Sequence, residues 1–219
     1  MKIIDAKQGS EAWLRARLGK VTASEADALI SPEGKVRTGA GPHSYLCRKV
    51  AEKVLGYSVD TFQGSWATDQ GNIIETMALP WYSFAFDTPL TRIGFCETDD
   101  GRAGASPDAL IGEDGGLEIK SPQPPAHVEY LLAGVVPKDY RIQVQFSLWV
   151  TGRKWWKFVS YSSQFESLVV HVEPDPILQE AISEAMAKFA PVFDAALERV
   201  SKGVIRGTDS MAEFKDRSA

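Results

Sequence analysis

Asp108, Glu118 and Lys120 fall inside the run Ala105-Ser-Pro-Asp-Ala-Leu-Ile-Gly-Glu-Asp-Gly-Gly-Leu-Glu-Ile-Lys120, and their types and spacing suit phosphodiester hydrolysis. Two short apolar stretches flank a turn of Gly and acid at 112–116, which reads as a hairpin. Side chains alternate along its second strand, so Leu117 and Ile119 turn to the core while Glu118 and Lys120 share the open face. Folding the hairpin back brings Asp108 towards that face. Hard divalent cations such as Mg²⁺ take oxygen ligands, and one or two carboxylates with waters and substrate phosphate complete the shell. Such an ion polarises a phosphate and lowers the pKa of a bound water. A neighbouring lysine can orient that water and offset charge developing on the phosphate.

The spacing acid-x-Lys carries no weight alone, since it recurs at Asp5-Ala-Lys7, Glu33-Gly-Lys35 and Glu213-Phe-Lys215. Only one place joins Pro-Asp, a Gly-rich turn and an alternating Glu-x-Lys.

Several elements must position these groups. Ser10 to Leu18 places Trp13, Leu14 and Leu18 at helical spacing. Thr22-Ala-Ser-Glu25 has the form of a capping box with Thr22 as N-cap, opening a short helix to Ile30. Residues 31–42 read as a mobile loop, 43–55 as a helix, and 67–86 as a helix interrupted near Pro80. Strands are expected over 89–97, 102–106, 109–111, 117–119, 155–161 and 167–172, with a helix over 139–150 carrying Ile142, Phe146 and Trp149 on one face. A final stripe through Leu178, Ile182, Ala185, Phe189, Phe193, Ala196 and Val200 predicts one long helix. Helices first, then strands with interleaved helices, describe a single α/β domain over 1–207 with a loosely ordered tail over 208–219.

Composition agrees with a soluble protein. The chain has 219 residues, 44% hydrophobic and 24% charged, with no run of about 18–20 apolar residues that could span a membrane. Asp5 precedes any apolar signal region, and Cys47 and Cys96 have no framework spacing, so a cytoplasmic, reduced protein is expected. The net charge of -5 opposes coating of nucleic acid by bulk electrostatics. Base nevertheless collects at Arg15, Arg17 and Lys20, at Arg48, Lys49 and Lys53, and at Arg153, Lys154 and Lys157, around a central acidic block. That distribution suits a metal site beside a phosphate-binding surface. His43, His127 and His171 have no ligand spacing and read as structural or surface groups. The Trp155-Trp156 pair reads as alternating across a strand, with one ring in the core.

Ser106-Pro-Asp108 followed by Leu-Glu118-Ile-Lys120 resembles the PD-(D/E)xK nuclease superfamily, and more narrowly the phage lambda exonuclease (YqaJ-type viral recombinase) family. Gln8-Gly-Ser-Glu-Ala-Trp13, Arg17-Leu-Gly19 and Thr22-Ala-Ser24 are similar to that family's opening. Gly71 with Glu75 resembles its upstream acidic position, and Gln143-Val-Gln145 with Trp149-Val-Thr151 its later helix. The resemblance runs in order from about Gln8 to Tyr161. It implies a restriction-endonuclease-like fold with a central mixed β-sheet flanked by helices. It also implies a Mg²⁺-dependent (or Mn²⁺-dependent) 5′→3′ exonuclease on linear double-stranded DNA, with two ions per site. The product is a 3′ single strand for an annealing protein, and the assembly a homotrimeric ring.

By the same resemblance Glu75, Asp108, Glu118 and the Ile119 carbonyl are metal ligands, and Asp108, Glu118 and Lys120 the catalytic set. Arg17 and Ser24 grip the 5′-phosphate, with Ser106 and Gln143 as further contacts. The fork of an arginine and the free N–H groups of a first helical turn both favour an anion there. Two other readings stay open at this stage: an endonuclease or junction resolvase on the same fold, and a non-catalytic DNA-binding module.

Overall fold

A computed structural model of the chain describes residues 1–59 and 73–201, apart from the side chains of Ile74 and Glu75. Its strands are β1 (Lys2–Ile4), β2 (Val21–Thr22), β3 (Leu90–Thr91), β4 (Phe95–Glu97), β5 (Ala103–Ala105), β6 (Ala109–Ile111), β7 (Gly115–Lys120), β8 (Trp155–Ser160) and β9 (Leu168–Val172). Its α-helices are α1 (Glu11–Arg17), α2 (Ala40–Leu55), α3 (Leu79–Ala85), α4 (Pro124–Ala133), α5 (Lys138–Thr151) and α6 (Pro176–Ser201).

The fold is mixed α/β, with the strands divided between two mixed sheets rather than gathered in one. The first has the order β1-β4-β5-β2 and the second β3-β6-β7-β8-β9. In the second, β6 and β7 form the expected antiparallel hairpin, with Ala109 opposite Leu117 and Ile111 opposite Gly115. Strand β8 then pairs parallel to β7, from Gly115 against Trp155 to Lys120 against Ser160. A parallel neighbour needs a crossover, and α4 and α5 supply it.

Helix α5 is buried on two sides. Ile142, Phe146 and Val150 pack with Cys96, Ala103 and Ala105 of the first sheet. Val144 and Leu148 pack with Leu110, Trp156 and Phe158 of the second. The sequence suggested one apolar face; the structure gives two, because each sheet needs a cover. Helix α6 closes the first core through Leu178, Ile182 and Ala185, and α3 the second through Leu79 and Tyr82.

Other departures have local causes. The segment after Thr22 is a 3₁₀ helix, Ala23–Ala28, shorter than expected, and the Thr22 side chain makes no capping bond. A π-turn over Ile74–Ala78 precedes α3, and Pro80 sits in the first turn of α3. Proline lacks an N–H and clashes with the preceding turn, and the first turn of a helix, where that N–H has no intrahelical partner, accommodates it best. Strands β1 and β2 and helix α4 went unseen in the sequence because they are very short or lack a clean period. The run at 89–97 is two strands: at Gly94 a Cβ would fall 1.7 Å from the Ala6 carbonyl oxygen, so the N-terminal segment crosses there. The tail expected from 208 lies outside the described residues.

Trp156 is fully buried and Trp155 partly so, as strand alternation required. His127 is fully buried between the Ser160 hydroxyl at 2.7 Å and the Glu166 carbonyl at 2.9 Å, a structural role. The two glycines of the hairpin give the tryptophans their places. A Cβ on Gly116 would fall 2.2 Å from the Trp156 ring, and one on Gly115 2.2 Å from that of Trp155. Gly116→Ala should therefore lower stability by about 1–3 kcal/mol through overpacking, read as a lowered midpoint in urea denaturation. An unchanged midpoint would show that the strand pair has slack.

Candidate active site

The hairpin delivers what its alternation promised. Leu117 and Ile119 are fully buried in the core, and Glu118 and Lys120 project from the other face. Lys120 Nζ lies 2.7 Å from Glu118 Oε1. Asp108, just before β6, accepts the Ile119 N–H at 2.5 Å through Oδ2, which pins its carboxylate to the mouth of the hairpin. Gln143 reaches in from α5 and donates to Glu118 Oε1 at 2.5 Å. The structure thus brings Asp108, Glu118, Lys120 and Gln143 together.

Two carboxylates so close, and Glu118 only 4% exposed, create an electrostatic conflict. Burial, then the neighbouring charge of Glu118, push the Asp108 carboxyl up to about 7, against the pull of Lys120, the Ile119 N–H and Arg92. For Lys120, burial works to lower the pKa, but Glu118 and Asp108 outweigh it and hold the ammonium charged. Two buried carboxyl groups set against one ammonium is an arrangement that suits a cation-binding centre.

The donor set fits a hard divalent ion. In a strand, the N–H and C=O of one residue leave on the same side. The Ile119 N–H is bonded to Asp108, so its carbonyl faces Asp108 as well. Lys120, one residue on, points its carbonyl the other way, to the Tyr161 N–H. Continuing the hairpin register sets Pro107 opposite Ile119, and proline has no N–H to offer that carbonyl. Two carboxylate groups and one carbonyl thus converge. No group of three or more His, Cys, Asp or Glu suited to a metal occurs among the described residues. Glu75 lies in the π-turn, but its side chain, like Gly71, is outside the described residues.

A second cluster lies beside the first. The Arg17 guanidinium lies over the Trp13 ring, 4.4 Å from its centroid. It donates to Ser106 Oγ at 3.3 Å, Ser24 Oγ at 3.2 Å and Thr22 Oγ1 at 3.4 Å. Burial lowers the Arg17 pKa from its ordinary value, while Glu25, Tyr45 and Glu52 act to raise it. Arg17, Ser24 and Ser106 are therefore together, but the support expected from a capping box is absent, since Thr22 Oγ1 donates to Glu25 Oε2 at 2.9 Å instead. An arginine that meets a ring face and hydroxyls, and no carboxylate among the hydrogen bonds of the described residues, keeps its charge for an incoming oxyanion.

The broad basic stretches do not form one phosphate surface. Arg15 pairs with Glu11, Lys20 with Glu97, and Lys154 with Asp114. Arg48 and Lys49 both pair with Glu25. Arg153 is spent on the turn, donating to the carbonyls of Gly112 and Gly115 at 2.9 and 2.7 Å. Lys157 lies over the Trp155 ring, 5.8 Å from its centroid, and Arg17 differs from the paired cations in meeting hydroxyls and a ring.

Two residues of the site were missed in the sequence. Tyr140 holds its ring 5.1 Å from Lys120 Nζ, and it lies three residues before Gln143, so helical spacing could have placed both on one face. Gln8 donates to the Pro107 carbonyl at 2.9 Å and fixes the approach to Asp108, a long-range contact that no local pattern announces.

A YqaJ-like viral recombinase domain model matches residues 12–154. Among solved structures, the chain is similar to an alkaline exonuclease, LHK-Exo, from Laribacter hongkongensis, with a TM-score of 0.77 and 26% identity over 88% of this chain and 97% of that one. The structure of LHK-Exo in complex with dAMP matches with the same TM-score of 0.77. A phage related exonuclease from Haemophilus somnus 129PT shares the fold, with a TM-score of 0.60 and 16% identity over 83% of this chain and 96% of that one. No curated protein matches.

Glu118→Gln removes the charge that helps raise Asp108 and frees Lys120 to turn towards it. Both effects act downward, so the Asp108 pKa should fall below about 7 in the variant, as followed by carboxyl ¹³C shifts against pH. The wild type should also lose stability as pH rises from the unfolded aspartate value through about 7, because the folded state holds the extra proton. The variant should lose less.

Proposed function

Since the chain belongs to the YqaJ-like viral recombinase domain family, we propose that it is a Mg²⁺-dependent 5′→3′ exonuclease acting on linear double-stranded DNA from 5′-phosphorylated ends. The observation that carries the choice of an end-dependent enzyme is the Arg17 guanidinium, stacked on Trp13, hydrogen-bonded to hydroxyls, and reaching through Ser106 the short link that holds Asp108. The likeness to LHK-Exo, an alkaline exonuclease, supports the nuclease reading.

Asp108, Glu118, the Ile119 carbonyl and Glu75 would hold the metal, as Mg²⁺ or Mn²⁺ and as two ions per site. When bound, the ions supply Lewis-acid polarisation of the scissile phosphate and a more acidic water. The protein's own groups do the rest. Lys120, charged and held between Glu118 and the Tyr140 ring, orients the attacking water and offsets charge on the phosphate. Gln143 occupies Glu118 Oε1 and so fixes the direction of its other oxygen. Arg17, Ser24 and Ser106 grip the terminal 5′-phosphate and align the next phosphodiester with the carboxylates. The 3′ strand left behind suits an annealing protein. A homotrimeric ring would let an acidic chain enclose DNA with only its inner surface basic.

Incubation with linear duplex bearing 5′-phosphate or 5′-hydroxyl ends, and with closed circular duplex, tests the reading. Linear DNA should be degraded in Mg²⁺ and spared in EDTA, with phosphorylated ends preferred. Cutting of the closed circle would overturn it in favour of an endonuclease, and no Mg²⁺-dependent loss of any substrate would leave a binding module. Lys120→Ala should lower kcat by about 10²–10³-fold while end binding, measured by fluorescence anisotropy, persists. Arg17→Ala should erase the preference for phosphorylated ends.

A further inference from the structure

Behind Arg17 lies a buried polar network that the proposed chemistry does not use. Lys49 and Glu52, on α2, are each 3% exposed. Lys49 Nζ contacts Glu25 Oε2 at 2.8 Å and Glu52 Oε2 at 3.0 Å, and Arg48 contacts Glu25 Oε1 at 3.2 Å. Glu52 also accepts the Gly19 N–H at 3.3 Å, which ties α2 to the chain just after Arg17. Unpaired, these buried charges would be costly, so the network holds a fixed arrangement.

Its outlet is Thr22. A hydroxyl has one proton and two lone pairs. The Thr22 proton goes to Glu25 Oε2, an acceptor-only carboxylate, at 2.9 Å. Both lone pairs then face the phosphate cluster, where Arg17 Nη2 lies at 3.4 Å and Ser24 Oγ at 3.4 Å. Because the Thr22 proton is committed, Ser24 must be the donor in that last contact. Ser24 thus keeps a lone pair for Arg17 and a proton that can swing to an anion. Lys49 and Arg48 hold both oxygens of Glu25, and the Tyr45 hydroxyl donates to Oε2 at 3.3 Å, so the charge of Glu25 acts on Arg17 through space while its hydrogen bonds go elsewhere.

We propose that Glu25 and Thr22 are positioning residues for recognition of the 5′-terminal phosphate: Glu25, held by Lys49 and Arg48, sets the polarity of the Thr22 hydroxyl, which in turn orients Arg17 and Ser24. The proposal rests on the reading of Arg17 as the phosphate grip. It assigns the buried ion pairs of α2 to specificity for the substrate end.

The test is the ratio of kcat/KM on 5′-phosphorylated against 5′-hydroxyl linear duplex, in wild type, Thr22→Val, Thr22→Ser, Glu25→Gln and the Thr22→Val/Glu25→Gln double variant, with folding checked by Tm. Thr22→Val keeps the shape and loses the hydroxyl, so the ratio should fall about ten-fold, the equivalent of one net hydrogen bond. Thr22→Ser should restore it. If Glu25 acts through Thr22, the double variant should lose no more than Thr22→Val alone. General destabilisation would lower both rates together and leave the ratio unchanged, which counts against the proposal. So does a full ratio in Thr22→Val, or additive losses in the double variant. Should Thr22→Val prove poorly folded, Glu25→Gln decides alone, and an unchanged ratio there overturns the proposal. Where wild type discriminates and Arg17→Ala does not, these failures fall on the relay only. Absence of discrimination in wild type overturns the phosphate reading and the relay with it.

Discussion

Helix α5 is buried between two sheets, and the geometry of the candidate active site depends on that burial. Residues at 142, 146 and 150 face one core and those at 144 and 148 the other. Such a helix cannot rotate without exposing one of its two apolar stripes, so the direction of the intervening residue 143 is fixed by packing alone. Gln143 therefore meets Glu118 without any need for a capping or charge interaction to aim it. Gln145, on a different side, is spent on the Asp175 N–H and the Glu173 carbonyl, bracing the turn into α6. Two glutamines two residues apart thus serve different ends because the helix has no free face between its cores.

A rigid frame is what the electrostatics of the hairpin require. Asp108 and Glu118 repel one another, and a flexible hairpin would relieve the strain by letting one carboxylate swing into water. Short strands, the Ile119 N–H on Asp108 and the tryptophan rings over Gly115 and Gly116 prevent that. The cost of burial, and after it of the Glu118 charge, appears as the raised Asp108 pKa. Fold stability has been given up locally to keep two oxygens facing one point, the usual signature of a preorganised site.

The sequence disclosed the placement of those parts of the candidate site that follow local rules. Glu118 and Lys120 were readable because strand alternation is strict, and Asp108 because a short Gly-rich turn leaves the chain one way to fold back. The division into two sheets was not readable, since strands of two or three residues such as β2 and β5 have too few positions to show a period. The basic clusters were misleading for a related reason: sequence shows where charges are, and only tertiary structure shows that Glu25 lies against Arg48 and Lys49. Thr22 illustrates both limits. Its motif was right as a string, yet its hydroxyl is turned to a carboxylate that the helix-start rule reserves for the backbone.

The tripeptide Ser106-Pro-Asp108 joins these threads, because it is where the chain leaves the first sheet at β5 and enters the second at β6. Ser106 faces Arg17, and Asp108 faces Glu118, so one residue separates the arginine–hydroxyl cluster from the carboxylate pair. That residue is proline, whose fixed φ stiffens the link, and its carbonyl is held by Gln8. A crossing between sheets is ordinarily a place where loops lengthen and drift. Here it is short, rigid and tied from the N-terminal segment. Under the proposed reading, the distance from a gripped 5′-phosphate to the bond that is cut is then a property of the backbone, set by three residues. An enzyme that measures from a DNA end needs such a fixed interval more than it needs a wide basic surface, which is consistent with a chain that carries a net charge of -5.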